Sequence, residues 1–148
     1  MRRLLTAIAF TILAATGAMA ASAEQEKAFV DAYKAAFEAQ DAEGLYALLF
    51  TAGAIEMAVD FYKMSMVEDF GKKAEITLEP LTAEDEARAT EVMDTPDGGK
   101  AVLMPKAYKK LVIKIDTSDA NGTSSATSTV LVGEQDGKLG IAMPHTAP

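Results

Sequence analysis

Apolar residues recur with a helical period in the first half of the chain and alternate in the second half. Phe29, Tyr33 and Phe37 follow one another at intervals of four, which predicts one buried stripe on a first helix. Asp41 is placed to cap a second, short helix, and residues 55–70 repeat apolar positions at steps of three and four. We therefore expect three helices before the first strand.

The second half carries the alternation that is typical of strands. Leu111, Ile113 and Ile115 share one face of a predicted strand, while the residues between them point the other way. The last two strands flank an Asp-Gly turn at residues 136 and 137, which is a strong signal of an antiparallel hairpin. Shorter strands are predicted at residues 74–78 and 102–104.

Residues 82–93 allow two interpretations. Thr82 and Asp85 have the spacing of a weak capping box, which would open a helical turn. Residues 87–93 also fit a strand that leads into a Gly-rich turn, and the strand is the preferred interpretation. The predicted fold class is α+β, with N-terminal helices packed against an antiparallel sheet.

The first 23 residues have the pattern of a cleaved export signal. Two arginines precede an apolar run at residues 4–15, and small residues follow with Ala-x-Ala spacing up to Ala20 and up to Ala23. The run is too short to cross a bilayer, which needs about 20 apolar residues. We expect cleavage after Ala20 or Ala23, a single mature domain at residues 24–148, and a periplasmic or secreted location without a membrane anchor.

Charge and composition limit the classes of partner and cofactor that we expect. The chain has 22 acidic and 14 basic residues, and the leader would remove two basic ones, so nucleic acid is not an expected partner. The absence of cysteine excludes disulfides and thiolate metal sites. The single histidine, His145, is predicted to lie in a frayed tail, and no metal or cofactor is expected. Lys106, Lys109 and Lys110 are interpreted as a solvated loop or edge feature in preference to an anion site.

Two segments resemble the nuclear transport factor 2-like superfamily, also called the cystatin-like or SnoaL-like cone fold. The first is the helix-corner-helix at residues 29–45, with its acidic corner at Asp41 followed by Leu45. The second is the closing hairpin with Asp-Gly-Lys at residues 136–138, where Leu139 stands in place of the usual aromatic residue. The resemblance covers most of the mature chain in its order of elements. The leader and the lack of cysteine indicate an exported bacterial member.

The resemblance implies a curved antiparallel sheet wrapped against helices to form a cone, whose open end often holds a small apolar molecule. Members include isomerases, cyclases, dehydratases and non-catalytic modules, so the fold alone does not select an activity. We expect Tyr33, Phe37, Tyr62 and Met66 to line such a cavity and to bind its ligand. The favoured function is a non-enzymatic module that binds a small apolar ligand or an envelope protein.

The alternative function is a small cofactor-free isomerase, hydratase or cyclase. Such an enzyme needs a carboxylate in an apolar cavity and a hydrogen-bond donor such as tyrosine. Asp60 or Glu91 would supply the carboxylate, and a helical tyrosine such as Tyr46 the donor. Each has a structural explanation as well, since Asp60 is expected to pair with Lys63 along its helix, and no catalytic residue is assigned.

The sheet and the third helix carry two further signals. A row at residues 127, 129 and 131 beside Val112 is a candidate face for pairing two copies of the chain. Met64 and Met66 are candidate ligands for monovalent copper. At positions i and i+2 on a helix they point to different sides, so core filling is the preferred interpretation.

Overall fold

The computed structural model describes residues 21–148, so the predicted leader lies outside the described residues except for its last three positions. The helices of this part of the chain are α1 (Ala23–Glu38), α2 (Ala42–Tyr46), α3 (Glu56–Val67) and α4 (Ala83–Thr90). Its strands are β1 (Lys73–Pro80), β2 (Met93–Asp94), β3 (Lys100–Met104), β4 (Ala107–Asp119), β5 (Gly122–Gln135), β6 (Lys138–Ile141) and β7 (Met143–Thr146). None of these helices is long and apolar enough to cross a membrane.

The local sequence explains where the first two helices begin. The Ser22 hydroxyl accepts a hydrogen bond from the Gln25 backbone N–H at 3.2 Å, and the Gln25 side chain accepts one from the Ser22 N–H at 2.7 Å. This reciprocal capping box starts α1. The Asp41 carboxylate accepts a hydrogen bond from the Gly44 N–H at 3.0 Å and caps α2, as predicted.

Two antiparallel sheets share one nearly continuous strand. The main sheet has the order β1-β4-β5-β6, and the second sheet has the order β2-β3-β7. Between β6 and β7, Ala142 donates a backbone hydrogen bond to the Leu131 carbonyl at 2.9 Å, after which the chain leaves β5 and pairs with β3. Because one stretch of chain changes partner there, the strands curl into an open half-barrel. The predicted α+β class with a curved antiparallel sheet is confirmed.

The helices and the main sheet bury a common core. The residues of α1 and β4 that meet in it are Phe29, Tyr33, Phe37, Leu111, Ile113 and Ile115. The predicted alternation along β4 is confirmed, since Lys114 lies between two of these buried residues and is exposed. The predicted hairpin is also confirmed, because Asp136 and Gly137 turn the chain with φ angles of 54° and 74°, which Asp and Gly tolerate.

The strand predicted at residues 87–93 is wrong, because α4 occupies most of this stretch. The Thr82 hydroxyl accepts a hydrogen bond from the Asp85 N–H at 3.2 Å, and the Asp85 carboxylate accepts one from the Thr82 N–H at 2.8 Å. The capping box is therefore complete. Lys110 of β4 donates to the same carboxylate at 2.7 Å, a bond that residue spacing does not reveal.

Two expectations about exposed segments are also wrong. His145 does not lie in a frayed tail, because it belongs to β7, which pairs with β3. Lys109 and Lys110 are not solvated loop or edge residues, since both lie in β4 in the middle of the main sheet. Their ammonium groups form ion pairs with Glu26 at 2.6 Å and with Asp85 at 2.7 Å.

Candidate functional site

Helix α3 borders two adjoining cavities that lie between it and the sheets. The larger cavity has a volume of about 460 Å³ and the smaller about 250 Å³. Phe61 and Tyr62 of α3 line both cavities, and so do Thr129 and Val130 of β5. Because the cavities share these walls, they form one groove, which we call the α3 groove.

The four residues predicted to bind a ligand all line the smaller cavity. Tyr33 and Phe37 come from α1, and Tyr62 and Met66 come from α3. They meet because each lies on the inward-facing apolar stripe of its helix. Whether they bind a ligand stays a prediction. Asp69, which follows α3, lines the same cavity and pairs with a neighbouring lysine at 2.6 Å.

Burial raises the pKa values of the two tyrosines in the α3 groove. Burial raises the pKa of Tyr33 to about 12, and the Asp69 carboxylate adds to that rise. Burial also raises the pKa of Tyr62, while the charge of Arg88 opposes the rise. Both phenol groups are therefore uncharged at neutral pH and offer O–H donors to the groove.

The larger cavity has mostly apolar walls and a charged rim. Its large apolar lining residues are Ile55, Met57, Phe61, Met93, Leu103 and Leu131. The charged residues are Arg88, Glu91 and Asp94, and all three are exposed. Asp94 pairs with Lys100, whereas the Arg88 side chain forms no ion pair and no hydrogen bond within residues 21–148. The rim therefore carries one cation, Arg88, whose charge is not neutralised by contact with any carboxylate of the described residues.

The carboxylates considered for catalysis do not lie inside the groove. Asp60 is exposed and lines neither cavity. Asp60 and Lys63 form no ion pair within residues 21–148. The Lys63 ammonium instead lies 5.1 Å from the centre of the Tyr46 ring. Glu91 follows α4 and is exposed at the rim of the larger cavity. Asp85 is buried, but it lines neither cavity because it caps α4.

The two methionines considered as copper ligands do not face the same side of α3. Met64 is 66% exposed and Met66 is buried, so the two sulfur atoms point to different sides of α3, as predicted. Within the described chain, no group of three or more His, Cys, Asp or Glu side chains is arranged to hold a metal ion.

In the row considered for pairing two copies, Leu131 is buried and lines the larger cavity. Pairing of copies stays a prediction.

Sequence reasoning missed the larger cavity. Its rim depends on Arg88, which reaches that position only when residues 83–90 form a helix. Its opposite wall depends on Leu103 of β3, in the second sheet. The capping box formed by Thr82 and Asp85 is the local signal that points to α4, but no local signal brings α4 to the cavity that α3 lines.

Comparison with known proteins finds similar structures at low sequence identity. The helical cell shape determining protein Pgp2 from Campylobacter jejuni is similar over 80% of this chain, with 11% identity and a TM-score of 0.43. This chain spans only 38% of the length of that Pgp2 chain. An NTF-2-like protein of unknown function from Shewanella oneidensis MR-1 is similar over 84% of this chain and 98% of its own, with 14% identity and a TM-score of 0.43.

No protein-family model matches the sequence, and no curated protein matches it. The order of helices and strands and the curled antiparallel sheet are those that the resemblance to the nuclear transport factor 2-like cone implies. The architecture expected from the helix-corner-helix and the closing hairpin, helices packed against a curved antiparallel sheet, is therefore confirmed.

Proposed function

We propose that this chain is an exported, non-enzymatic module that binds a small apolar ligand in the α3 groove. The observation that carries the proposal is the pair of adjoining cavities, whose volumes of about 460 and 250 Å³ accommodate a small organic molecule. Apolar side chains dominate the walls, and a few polar groups converge on them. This combination is typical of binding sites for small apolar molecules.

Phe61 supports this proposal because it is an apolar side chain left in water. Its side chain is 61% exposed, although it lines both cavities of the groove. It packs edge-to-face on Tyr62 at a centroid distance of 6.4 Å. A ligand that bridges the two cavities would cover the free face of this ring, which stabilises the complex by removing apolar surface from water.

An enzymatic function is the second candidate, and one observation favours it. Asp69 and Tyr33 line the same cavity, and the carboxylate is close enough to raise the pKa of the phenol. However, Asp69 is one-third exposed and pairs with Lys72 at 2.6 Å. A catalytic base for proton abstraction works best in a water-poor site without a permanent counter-charge. Binding without chemistry therefore fits the groove better.

The test compares two exposed apolar residues of the same helix. Phe61 lines the groove, while Met64 lines neither cavity and is 66% exposed. Binding of the uncharged dye phenylnaphthylamine is measured by its fluorescence in the wild type, Phe61→Ser and Met64→Ser. Both side chains are mostly in water, so neither variant should unfold the protein.

We expect Phe61→Ser to weaken dye binding about five- to tenfold, since it removes roughly 1 kcal/mol of apolar contact. Met64→Ser should leave the dissociation constant unchanged. Absence of dye binding to the wild type would overturn the proposal. Equal weakening in both variants would overturn it as well, because it would assign the dye to the open surface of α3.

A further inference from the structure

Arg88 is the group in the α3 groove that the binding of an apolar ligand leaves unexplained. It lies at the rim of a cavity whose walls are otherwise mostly apolar. Its guanidinium has five N–H donors and a permanent charge, yet no residue between 21 and 148 pairs with it. Arg88 and Tyr62 line the same cavity, and the charge of Arg88 opposes the rise that burial causes in the pKa of Tyr62.

The fold holds α4, and with it Arg88, in a defined place. At the start of α4, the buried Asp85 carboxylate accepts hydrogen bonds from the Thr82 N–H and hydroxyl at 2.8 and 2.7 Å. Lys110 of β4 donates to the same carboxylate at 2.7 Å and ties the helix to the main sheet. Arg88 lies three residues after Asp85, so this anchor fixes the helix from which the guanidinium extends.

We propose that the ligand of the α3 groove is an amphiphile with an apolar body and a single anionic head, and that Arg88 binds the head. The proposal rests on the proposed function and specifies its ligand class. The apolar body would lie against residues such as Leu103 and Phe61. A carboxylate or phosphate head would pair with the guanidinium at the rim, and Tyr62, which lines the same cavity, would offer its hydroxyl as a further donor.

The other charges at the rim set the strength expected of this pairing. Asp94 already pairs with Lys100, so its charge is largely compensated. Glu91 is exposed, forms no ion pair within the described residues and repels an anion. Because Arg88 is exposed as well, solvent screens its attraction, and we expect a moderate contribution to affinity. Glu91 therefore provides a second variant at the same rim, with the opposite sign.

The experiment uses three probes that share one alkyl chain and differ in the head: decanoic acid, decanol and decylamine. Each displaces phenylnaphthylamine from the wild type, Arg88→Gln and Glu91→Gln at neutral pH and low salt. We expect the wild type to bind decanoate more tightly than decanol, and decanol more tightly than decylamine. Arg88→Gln should lose about five- to tenfold in affinity for decanoate and far less for decanol.

Glu91→Gln should gain about two- to threefold for decanoate, because it removes a like charge from the rim. Added salt should weaken decanoate binding to the wild type and not to Arg88→Gln. Equal affinities for decanoate and decanol, or tighter binding of decylamine, would overturn the anionic head while leaving the apolar ligand in place. Failure of both decanoate and decanol to displace the dye would instead overturn the proposed function.

Discussion

The protonation of Tyr33 connects the α3 groove to the stability of the fold. The side chain is 3% exposed, and burial raises its pKa to about 12, with a smaller contribution from Asp69. In the unfolded chain a tyrosine has a pKa of about 10. Because the folded-state value is higher, Tyr33 contributes stability that is fully present below pH 10 and is lost as the pH rises from 10 towards 12.

The magnitude follows from the difference between the two pKa values. A shift of two units corresponds to about 2.7 kcal/mol once both states have titrated, and about 1.4 kcal/mol of this is lost by pH 11. For a domain of this size, that smaller loss lowers the melting temperature by about 5 °C. Tyr33→Phe keeps the ring and removes the titrating hydroxyl, so the variant should not suffer this loss.

The assay is urea unfolding followed by circular dichroism between pH 8 and pH 11, in the wild type and Tyr33→Phe. We expect the free energies of unfolding to run parallel below pH 9 and the variant to gain about 1.4 kcal/mol on the wild type by pH 11. Asp69→Asn should lower the pKa of Tyr33 only slightly, because burial is the larger cause. Parallel curves across the whole range would refute the burial of this hydroxyl.

Three further predictions test other parts of the structure. Leu111→Ala, at a fully buried site of β4, should lower the free energy of unfolding measured in urea by about 2–5 kcal/mol. Val112→Ala, on the other face of the strand, should lower it by less than about 1.5 kcal/mol. Equal losses in the two variants would contradict the register. The bonds from Lys110 and Thr82 hold the pKa of Asp85 below its usual range. Asp85→Asn should therefore be less stable than the wild type at pH 7, and this difference in stability should shrink as the pH falls below about 4. A constant difference down to pH 2 would exclude this linkage. A chain that begins at Ala21 keeps the Ser22 capping box and should be about 0.5–2 kcal/mol more stable than one that begins at Glu24. If the exported protein keeps this cap, N-terminal sequencing will find Ala21 as its first residue.

The cleavage prediction has a physical basis in the start of α1. Ala21 packs against the core, and Ser22 forms both bonds of the capping box. The Gln25 side chain also donates to the Gly137 carbonyl at 2.8 Å, which ties this end of the helix to the closing hairpin. A mature chain that began at Glu24 would place a positive amino group at the first turn of α1, where the helix dipole disfavours a cation. Sequencing that found Glu24 first would show that the cap is dispensable.

Features that depend on neighbouring residues could be predicted from the sequence. The stripe of Phe29, Tyr33 and Phe37 follows from the period of the helix, and the alternation along β4 follows from the period of the strand. The Asp136–Gly137 turn follows from the φ angles that only a few residue types tolerate. These signals are sufficient for the fold class and for the helix stripes that face the smaller cavity.

Features that join distant parts of the chain could not be predicted in the same way. Lys110 and Asp85 are 25 positions apart, and their ion pair depends on how α4 packs on β4. His145 lies in a strand because β7 pairs with β3, which is about 40 positions earlier in the chain. In residues 87–93, apolar alternation over a short segment predicts a strand while the capping box predicts a helix, and tertiary packing decides between them.

By itself, the sequence determined the periods of the helices and strands, the turn chemistry and the apolar stripes of α1 and α3, because each of these depends on positions a few residues apart. Only the tertiary structure decided that α3, α4 and the second sheet line one cavity, and that Arg88 lies at its rim without an ion-pair partner among residues 21–148. The physical reason is that a cavity is the space between elements, so its shape and charge depend on packing between segments that have no fixed spacing in the chain.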